Sequence, residues 1–405
     1  MKDVALRQGL EYDRNILAAT LEEMIEVTGG WPEKAVRGAR VLLKVNMLSA
    51  KAPERAITTH PEVVAAMAML LHDRGCSVAV GDSPGGAVGG IERYWRNCGF
   101  DRLVENPGVE LVSFERAGSV EMQSGGRVYR IAKPVFEYDV LINMCKFKTH
   151  MYCRLTNAVK NSFGVIPGIG KAMIHSHAVR PRTLSACIAD IYKLVPFDMV
   201  VMDAILSMDG RGPGTDGHPR MDGILGVARN GVLLDMVMSK IAGLRPEELY
   251  TTREALKRGL GKPFEEITVD GTAVLPDFDI PATWFYDFVP GFAGALARTF
   301  VKTVPAAGGK CTGCGFCARV PVRGNTAEEK CIFTHQSSPL SLFDNPVCVL
   351  LEFIVVDDLL DSFDILRECM GSRRFRVHPK LLACCTVHIV VRDTMPGGVN
   401  GLDGL

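Results

Sequence analysis

Over its first 270 residues the chain alternates short apolar runs with helical patterns, and that alternation narrows the possible folds more than any other feature. Residues 41–46, which run Val-Leu-Leu-Lys-Val-Asn, read as a strand. Residues 61–74 read as a helix with Pro61 in its first turn and Gly75 past its end. Residues 77–81 form a second candidate strand, and 111–114, 140–144, 199–203 and 267–269 are further ones. Residues 91–98, 232–242 and 246–258 carry helical patterns. Strands separated by helices predict an α/β fold, a mostly parallel sheet flanked by helices.

The character changes after residue 270. Residues 271–310 are punctuated by Pro276, Pro281, Pro290 and Pro305 and hold Trp284, Phe285, Tyr286, Phe288, Phe292 and Phe300. This stretch reads as a connector that packs a small C-terminal module onto the α/β domain of residues 1–270. Residues 311–341 form that module. Cys311-Thr-Gly-Cys314-Gly-Phe-Cys317 has the spacing of the ferredoxin run C-x2-C-x2-C-x3-C-P, but Pro321 stands where the fourth thiolate belongs. Cys331 opens a second possible run, whose next positions are Thr334, Ser337 and Ser341. The module is therefore ferredoxin-like but degenerate, and at most one 4Fe–4S cluster is expected. Cys311, Cys314 and Cys317 would be ligands, with Cys331, Cys348 or an external group as the fourth. A Ser341 alkoxide is a harder and poorer ligand for iron–sulfur chemistry. Zinc is the weaker rival, because structural zinc sites usually offer two separated cysteine pairs. The tail, residues 342–405, carries Cys369, Cys384 and Cys385 without ligand spacing. It reads either as an extra packed helix and strand or as a frameshifted C-terminus.

Composition bounds the partners. Lys+Arg and Asp+Glu are both 46, so nothing pushes the chain as a whole toward nucleic acid. No run reaches the roughly 20 apolar residues of a membrane span, and the N-terminus lacks an apolar signal core. The spacing of the 13 cysteines suits ligand and core positions rather than a disulfide framework. That predicts a cytoplasmic protein.

Charge is nevertheless distributed unevenly. Residues 140–189 contain no Asp or Glu, where ordinary composition supplies about six. The same window holds Lys146, Lys148, Arg154, Lys160, Lys171, Arg180 and Arg182 with His150, His175 and His177. Lys146, Lys148 and His150 directly follow the predicted strand 140–144, and in parallel α/β sheets ligands bind beyond the carboxyl ends of strands. Asn157, Lys160 and Asn161 are expected on the following helix, with Asn157 and Lys160 sharing a face. The constellation predicts a site for a carboxylate or phosphate, with Lys146, Lys148, His150 and Lys160 nearest the chemistry. A solvated basic face is the alternative.

Other segments can reach the same crevice. Asp82, Ser83, Gly85 and Gly86 form a turn after a strand, where free backbone N–H groups favour anions. The turn lacks the spacing of a nucleotide fingerprint. The Gly-rich stretch 164–170 leads to Lys171 and reads either as a lid or as a plain surface loop. Asp203 ends a predicted strand and could pair with Lys146 or Lys148, or hold a cation. Asp209 and Asp216 suit turns. His60 suits helix capping or acid–base catalysis equally. His175 and His177 alternate as a metal pair on a strand would, or are surface histidines.

Taken together, Lys44-Val-Asn46, Thr58-Thr59-His60-Pro61, Gly81-Asp-Ser-Pro-Gly85-Gly86, Asn143-Met-Cys-Lys146-Phe-Lys148-Thr-His150 and Thr156-Asn-Ala-Val-Lys160-Asn161 resemble domain-of-unknown-function family 362. The resemblance spans roughly residues 1–335. It implies an iron–sulfur-linked, redox-active cytoplasmic protein, often carrying a C-terminal pair of ferredoxin motifs. No activity comes with it, and the departures at Pro321, Thr334, Ser337 and Ser341 weigh against a second cluster.

The expected function is that of an iron–sulfur oxidoreductase or electron-transfer protein acting on an anionic small molecule, with a redox partner protein. The alternative is a non-redox enzyme or anion-binding protein with a vestigial cluster module.

Overall fold

The computed structural model describes residues 1–283 except 86–89, 106–107, 169 and 179. The expected cluster ligands Cys311, Cys314, Cys317 and Cys331, and Gly86 of the turn, lie outside the described residues. In chain order the elements are β1 Val4–Arg7, α1 Arg14–Val27, β2 Arg40–Val45, α2 Pro61–Asp73, β3 Ser77–Asp82, α3 Ile91–Asn97 and β4 Val109–Ser113. There follow β5 Ser119–Ser124, β6 Arg127–Ala132, α4 Pro134–Glu137, β7 Val140–His150, β8 Arg154–Thr156, α5 Ala158–Asn161, α6 Gly170–His177 and α7 Pro181–Leu194. The last are β9 Met199–Gly210, β10 Gly217–Ala228, α8 Gly231–Ile241, α9 Tyr250–Lys257 and β11 Val269–Asp270.

The central sheet runs β11-β1-β10-β9-β7-β2-β3-β4, with β8 folded back on β7. The pairs β9–β7, β7–β2, β2–β3 and β3–β4 are parallel, while β10 is antiparallel to both β9 and β1. The mostly parallel sheet flanked by helices is thus as expected. Alternation sends successive side chains of a strand to opposite faces. Along β7, Ile142 and Met144 enter one core with Leu17, Leu21 and Met24 of α1 and Val63, Val64 and Met67 of α2. Leu141, Cys145 and Phe147 enter the other with Leu184 and Ile188 of α7 and Leu234 and Met238 of α8. Helix starts are fixed locally. Asp13 accepts from the N–H groups of Asn15 and Ile16 at 3.0 Å each, and Asn230 accepts from that of Val232 at 2.8 Å.

Two strands run further than their apolar runs foretold. β7 continues through Lys146, Phe147 and Lys148 to His150, and all its residues are buried. β9 continues past Asp203 to Gly210. Lys146, Lys148 and His150 therefore lie within a strand rather than after it. Polar residues end an apolar run in sequence, but a ladder continues through them when their polar heads find hydrogen-bond partners inside. The pattern over 246–258 resolves into a short 3-10 turn, Pro246–Glu248, and the separate helix α9. His175 and His177 lie on α6, not on a strand, so they do not face one way as a metal pair would. Among the described residues no helix is long and apolar enough to cross a membrane.

Candidate anion site at the end of the sheet

From the β2–β7 junction, connections leave in opposite directions: β2 leads to β3 and β4, and β7 leads to β9. This is the switch point where open α/β sheets place ligands. β7 pairs with β2 only as far as Val45 and Met144, so Cys145 to His150 project beyond the neighbouring strand. That projecting end is wholly buried and carries Lys146, Lys148 and His150.

Lys44 comes up from β2 and is fully buried. Its ammonium lies 2.8 Å from Asp82 Oδ1 at the end of β3 and donates to Asn161 Oδ1 at 3.0 Å. Asp82 Oδ2 also accepts from the Met47 N–H at 2.7 Å. Asn161 Nδ2 donates to Asn143 Oδ1 at 2.7 Å, and Asn143 Nδ2 to the Ala158 carbonyl at 2.9 Å. Asn46 Nδ2 reaches the same Asn161 Oδ1 at 3.0 Å. Burial lowers the pKa of Lys44, and Asp82 opposes the shift. Gly164 lies against this pair: a Cβ there would collide with Asp82 Oδ1 and with Lys44 Nζ.

Lys146 lies on the opposite face of the strand from Asn143. Its ammonium is 2.7 Å from Asp203 Oδ2, and both side chains are fully buried. The Tyr12 hydroxyl donates to Asp203 Oδ1 at 2.9 Å, and the His60 N–H to Asp203 Oδ2 at 2.8 Å. The expected partnership of Asp203 is therefore with Lys146. His60 caps α2, accepting at Nδ1 from the Glu62 N–H at 3.2 Å, and its ring stacks on Tyr12 at 3.5 Å. It also lines a cleft of about 470 Å³ beside Arg14, Arg96 and Arg102.

Lys148 differs from both. Its ammonium donates to Asn46 Oδ1 at 3.0 Å and to the Ile57 carbonyl, and it has no carboxylate partner among the described residues. Burial drives its pKa well below the ordinary lysine value; Lys160, Lys146 and Lys44 push the same way, with Asp82 opposing. His150 accepts at Nδ1 from the N–H groups of Tyr152 and Cys153 at 3.1 Å each, which leaves its proton on Nε2. Burial, then Lys160, His175 and Lys148, keep it neutral. Lys160 lies over the Phe163 ring at 5.8 Å and also has no carboxylate partner among the described residues. His175 meets Phe163 edge-on, and burial pushes its pKa down to about 3.

Asn157 departs from expectation. It is the extended N-cap residue of the short α5, so it does not share a helical face with Lys160. Both polar atoms of its side chain are buried without a partner. The α5 N–H groups of Ala158 and Val159 are capped instead by Asp235 of α8, at 2.8 and 2.9 Å. Burial without a cation raises the Asp235 pKa to about 8. Around the Ser83 turn the N–H groups are already taken: Ser83 donates to the Gly164 carbonyl at 3.1 Å and Gly85 to that of Leu48 at 3.2 Å. The Ser83 hydroxyl bonds Glu115, and Lys171, on α6, donates to the Ser83 carbonyl at 2.7 Å and to the Ile166 carbonyl at 2.9 Å. In its described residues this turn braces the site, and the N–H groups of Ser83 and Gly85 are not free for a ligand. Among the described residues no group of three or more His, Cys, Asp and Glu is arranged to hold a metal ion.

Residues 41–240, the span from β2 to α8, match the family described as Domain of unknown function (DUF362). Thylakoid-associated protein sll1697 of Synechocystis sp. is 32% identical over 269 residues, covering 66% of this chain and 83% of that protein. The chain belongs to the DUF362 family. Every side chain named in the site above except Tyr12 and Arg14 falls inside the DUF362 span. Among solved structures the chain is similar to the lactate racemase apoprotein from Thermoanaerobacterium thermosaccharolyticum, with a TM-score of 0.36 and 12% identity over 52% of this chain and 51% of that one. It is also similar to a protein from Thermotoga maritima, with a TM-score of 0.35 and 12% identity over 62% and 60% of the two chains.

Sequence reasoning brought Lys146, Lys148, His150, Asn157, Lys160, Asn161, Asp82, Ser83 and Lys171 into view. It gave no role to Lys44, Asn46, Asn143, Tyr12 or Asp235. Lys44 carries a readable signal, an ammonium inside an otherwise apolar strand, and so does Asp235 inside an apolar helix. Tyr12 precedes α1 and has none.

Proposed function

We propose that the end of the β2–β7 junction binds a small anionic molecule. One observation carries this reading: Lys148 and Lys160 have no carboxylate partner among the described residues, while the neighbouring Lys44 and Lys146 each have one. Lys160, only half-buried over the Phe163 ring, lacks a counter-charge that a ligand carboxylate or phosphate would supply, and the buried Lys148 amine offers such a ligand hydrogen-bonding capacity beside it. The unpartnered Asn157 side chain supports the same reading, since buried polar groups ordinarily find partners. Titration calorimetry with sulfate, phosphate and small carboxylates tests it. Lys160→Ala is expected to weaken binding by about 1.5–3 kcal/mol, the worth of a charged hydrogen bond. Equal affinity in the variant, or no anion binding by the wild type, would sink the proposal.

The fuller reading is an iron–sulfur-linked oxidoreductase or electron-transfer protein acting on that anion. It rests on the spacing of Cys311, Cys314 and Cys317. A 4Fe–4S cluster held there would supply one-electron chemistry. The free thiols of Cys76, Cys98, Cys145, Cys153 and Cys187 accord with a reducing cytoplasm. A second reading, a non-redox enzyme or anion-binding protein with a vestigial module, is favoured by Pro321, Thr334, Ser337 and Ser341 at ligand positions. Iron and acid-labile sulfide in the anaerobically purified protein separate the two.

A further inference from the structure

We propose, resting on the anion-site reading, that Lys148 is a nucleophilic amine that condenses with the carbonyl carbon of a 2-oxo acid.

The geometry around its nitrogen is the first argument. Lys148 Nζ has two hydrogen-bond acceptors, Asn46 Oδ1 and the Ile57 carbonyl, both neutral. An uncharged amine has two N–H bonds and one lone pair. Placing both hydrogens on these acceptors leaves the lone pair in a remaining tetrahedral direction. The orientation of Asn46 is set by the network rather than by chance. Asn161 donates through Nδ2 to Asn143 Oδ1, so its Oδ1 is the acceptor for Lys44 and for Asn46 Nδ2. Asn46 must then turn Oδ1 to Lys148. The chain of amides holds the amine in one direction.

The second argument is contrast among the buried lysines. Lys44 and Lys146 each meet an aspartate, at 2.8 and 2.7 Å, and are built as ion pairs. Lys148 meets none and lies within the fields of Lys160, Lys146 and Lys44. Burial and like charge together favour its free amine, the arrangement that activates lysines toward carbonyl carbons.

The ligand class follows from groups placed around it: His150 lies two residues on along β7, Asn157 follows Thr156, the register partner of Lys148 on β8, and the Lys160 charge reaches Lys148. Lys160 is a cation without a carboxylate partner among the described residues, His150 offers an Nε2–H, and Asn157 has an unpartnered amide. These suit a carboxylate. A carboxylate held there next to an electrophilic carbon for Lys148 describes a 2-oxo acid. In the step itself the Nζ lone pair forms a bond to the carbonyl carbon while the C=O π pair moves to oxygen. Proton transfer from nitrogen to that oxygen gives a carbinolamine. Loss of the hydroxyl with the remaining nitrogen proton releases one water and leaves a C=N bond. No oxidant or reductant is consumed.

The test uses the full chain, pyruvate as the probe, and sodium cyanoborohydride near pH 7 to reduce any imine formed. The expected result is a gain in intact mass of one pyruvate less one oxygen atom. Peptide mapping should place it on Lys148, at a yield above that of any exposed lysine by about tenfold or more, as a depressed amine pKa implies. Lys148→Arg should lose the adduct. Should that variant fail to fold, the wild-type map alone decides. Modification confined to exposed lysines, with pyruvate still competing against sulfate in calorimetry, would overturn the proposal and leave the anion site standing. Failure of both pyruvate and sulfate to bind would overturn both.

Discussion

Lys146 of β7 and Asp203 of β9 are register partners on adjacent parallel strands, and their side chains meet at 2.7 Å with no exposure to solvent. The Tyr12 hydroxyl and the His60 N–H complete the hydrogen bonding of the carboxylate. A buried pair of this kind stabilises little relative to an apolar pair of similar size, but either charge alone is expensive. Asp203→Ala is therefore expected to cost about 3–5 kcal/mol in urea unfolding. The double variant Lys146→Met, Asp203→Leu should recover most of that loss. A double variant as unstable as the single one would show that the Tyr12 and His60 bonds, rather than charge compensation, dominate.

Gly164 sets a different limit. A Cβ at this position would meet the Lys44–Asp82 pair, and the backbone there has no need of positive φ, so the constraint is space alone. Gly164→Ala is expected to destabilise by about 1–3 kcal/mol, as overpacking does, and to weaken anion binding by displacing Asn161 from Lys44. Gly214 has open space around its ideal Cβ, and Gly214→Ala is the control, expected within about 0.5 kcal/mol of wild type. Equal thermal stability of the two variants would contradict this packing.

The parallel half of the sheet was readable because buried parallel strands are apolar runs, and β2, β3 and β7 each begin as one. Reading stopped at Met144 because Lys146 and Lys148 break the run; nothing local says that Asp203, more than fifty residues on, waits opposite. The Gly125–Gly126 turn between β5 and β6 is a hairpin signal that was there to be used. So was the spacing of Leu184, Ile188 and Ile191 on α7. β10 resists reading, because Pro219, Gly223 and Gly226 interrupt it. The acid-free window holds Lys146, Lys148, His150, Asn157, Lys160 and Asn161 of the candidate site, while Lys44, Asn46 and Tyr12 join them only through tertiary pairing.

Acid should weaken the fold through its buried histidines. Burial lowers the pKa of His150 well below its ordinary value and that of His175 to about 3. In the unfolded chain both titrate near 6.5. Below that pH the unfolded state binds protons that the folded state refuses, so stability falls as pH drops from about 6.5 toward about 3. Each histidine contributes a slope of up to about 1.4 kcal/mol per pH unit. Urea unfolding from pH 7.5 downward should show this, and His175→Leu should flatten the curve by about one histidine's share. An unchanged slope in the variant would mean that His175 titrates normally. The comparison with the variant matters because Lys148, also depressed, tilts the curve in the same direction, whereas Asp235, raised to about 8, binds a proton in the folded state first and tilts it the opposite way.

The cysteine module makes the last prediction. Two 4Fe–4S clusters ordinarily take eight protein thiolates, and residues 311–341 hold Cys311, Cys314, Cys317 and Cys331. Anaerobic reconstitution is therefore expected to yield about four irons and four sulfides per chain, and no more. The cluster should also be lost readily, because the position that would complete the ligand set of Cys311, Cys314 and Cys317 in a two-cluster module is Ser341, and the last ligand must come from elsewhere. Iron and sulfide analysis, with electron paramagnetic resonance of the dithionite-reduced protein, measures this directly. About eight irons per chain would refute the count, and none after reconstitution would favour the vestigial module. Cys314→Ala should abolish the signal. Its survival would place the cluster away from Cys311, Cys314 and Cys317, and the link between the anion site and iron–sulfur chemistry would lose its support.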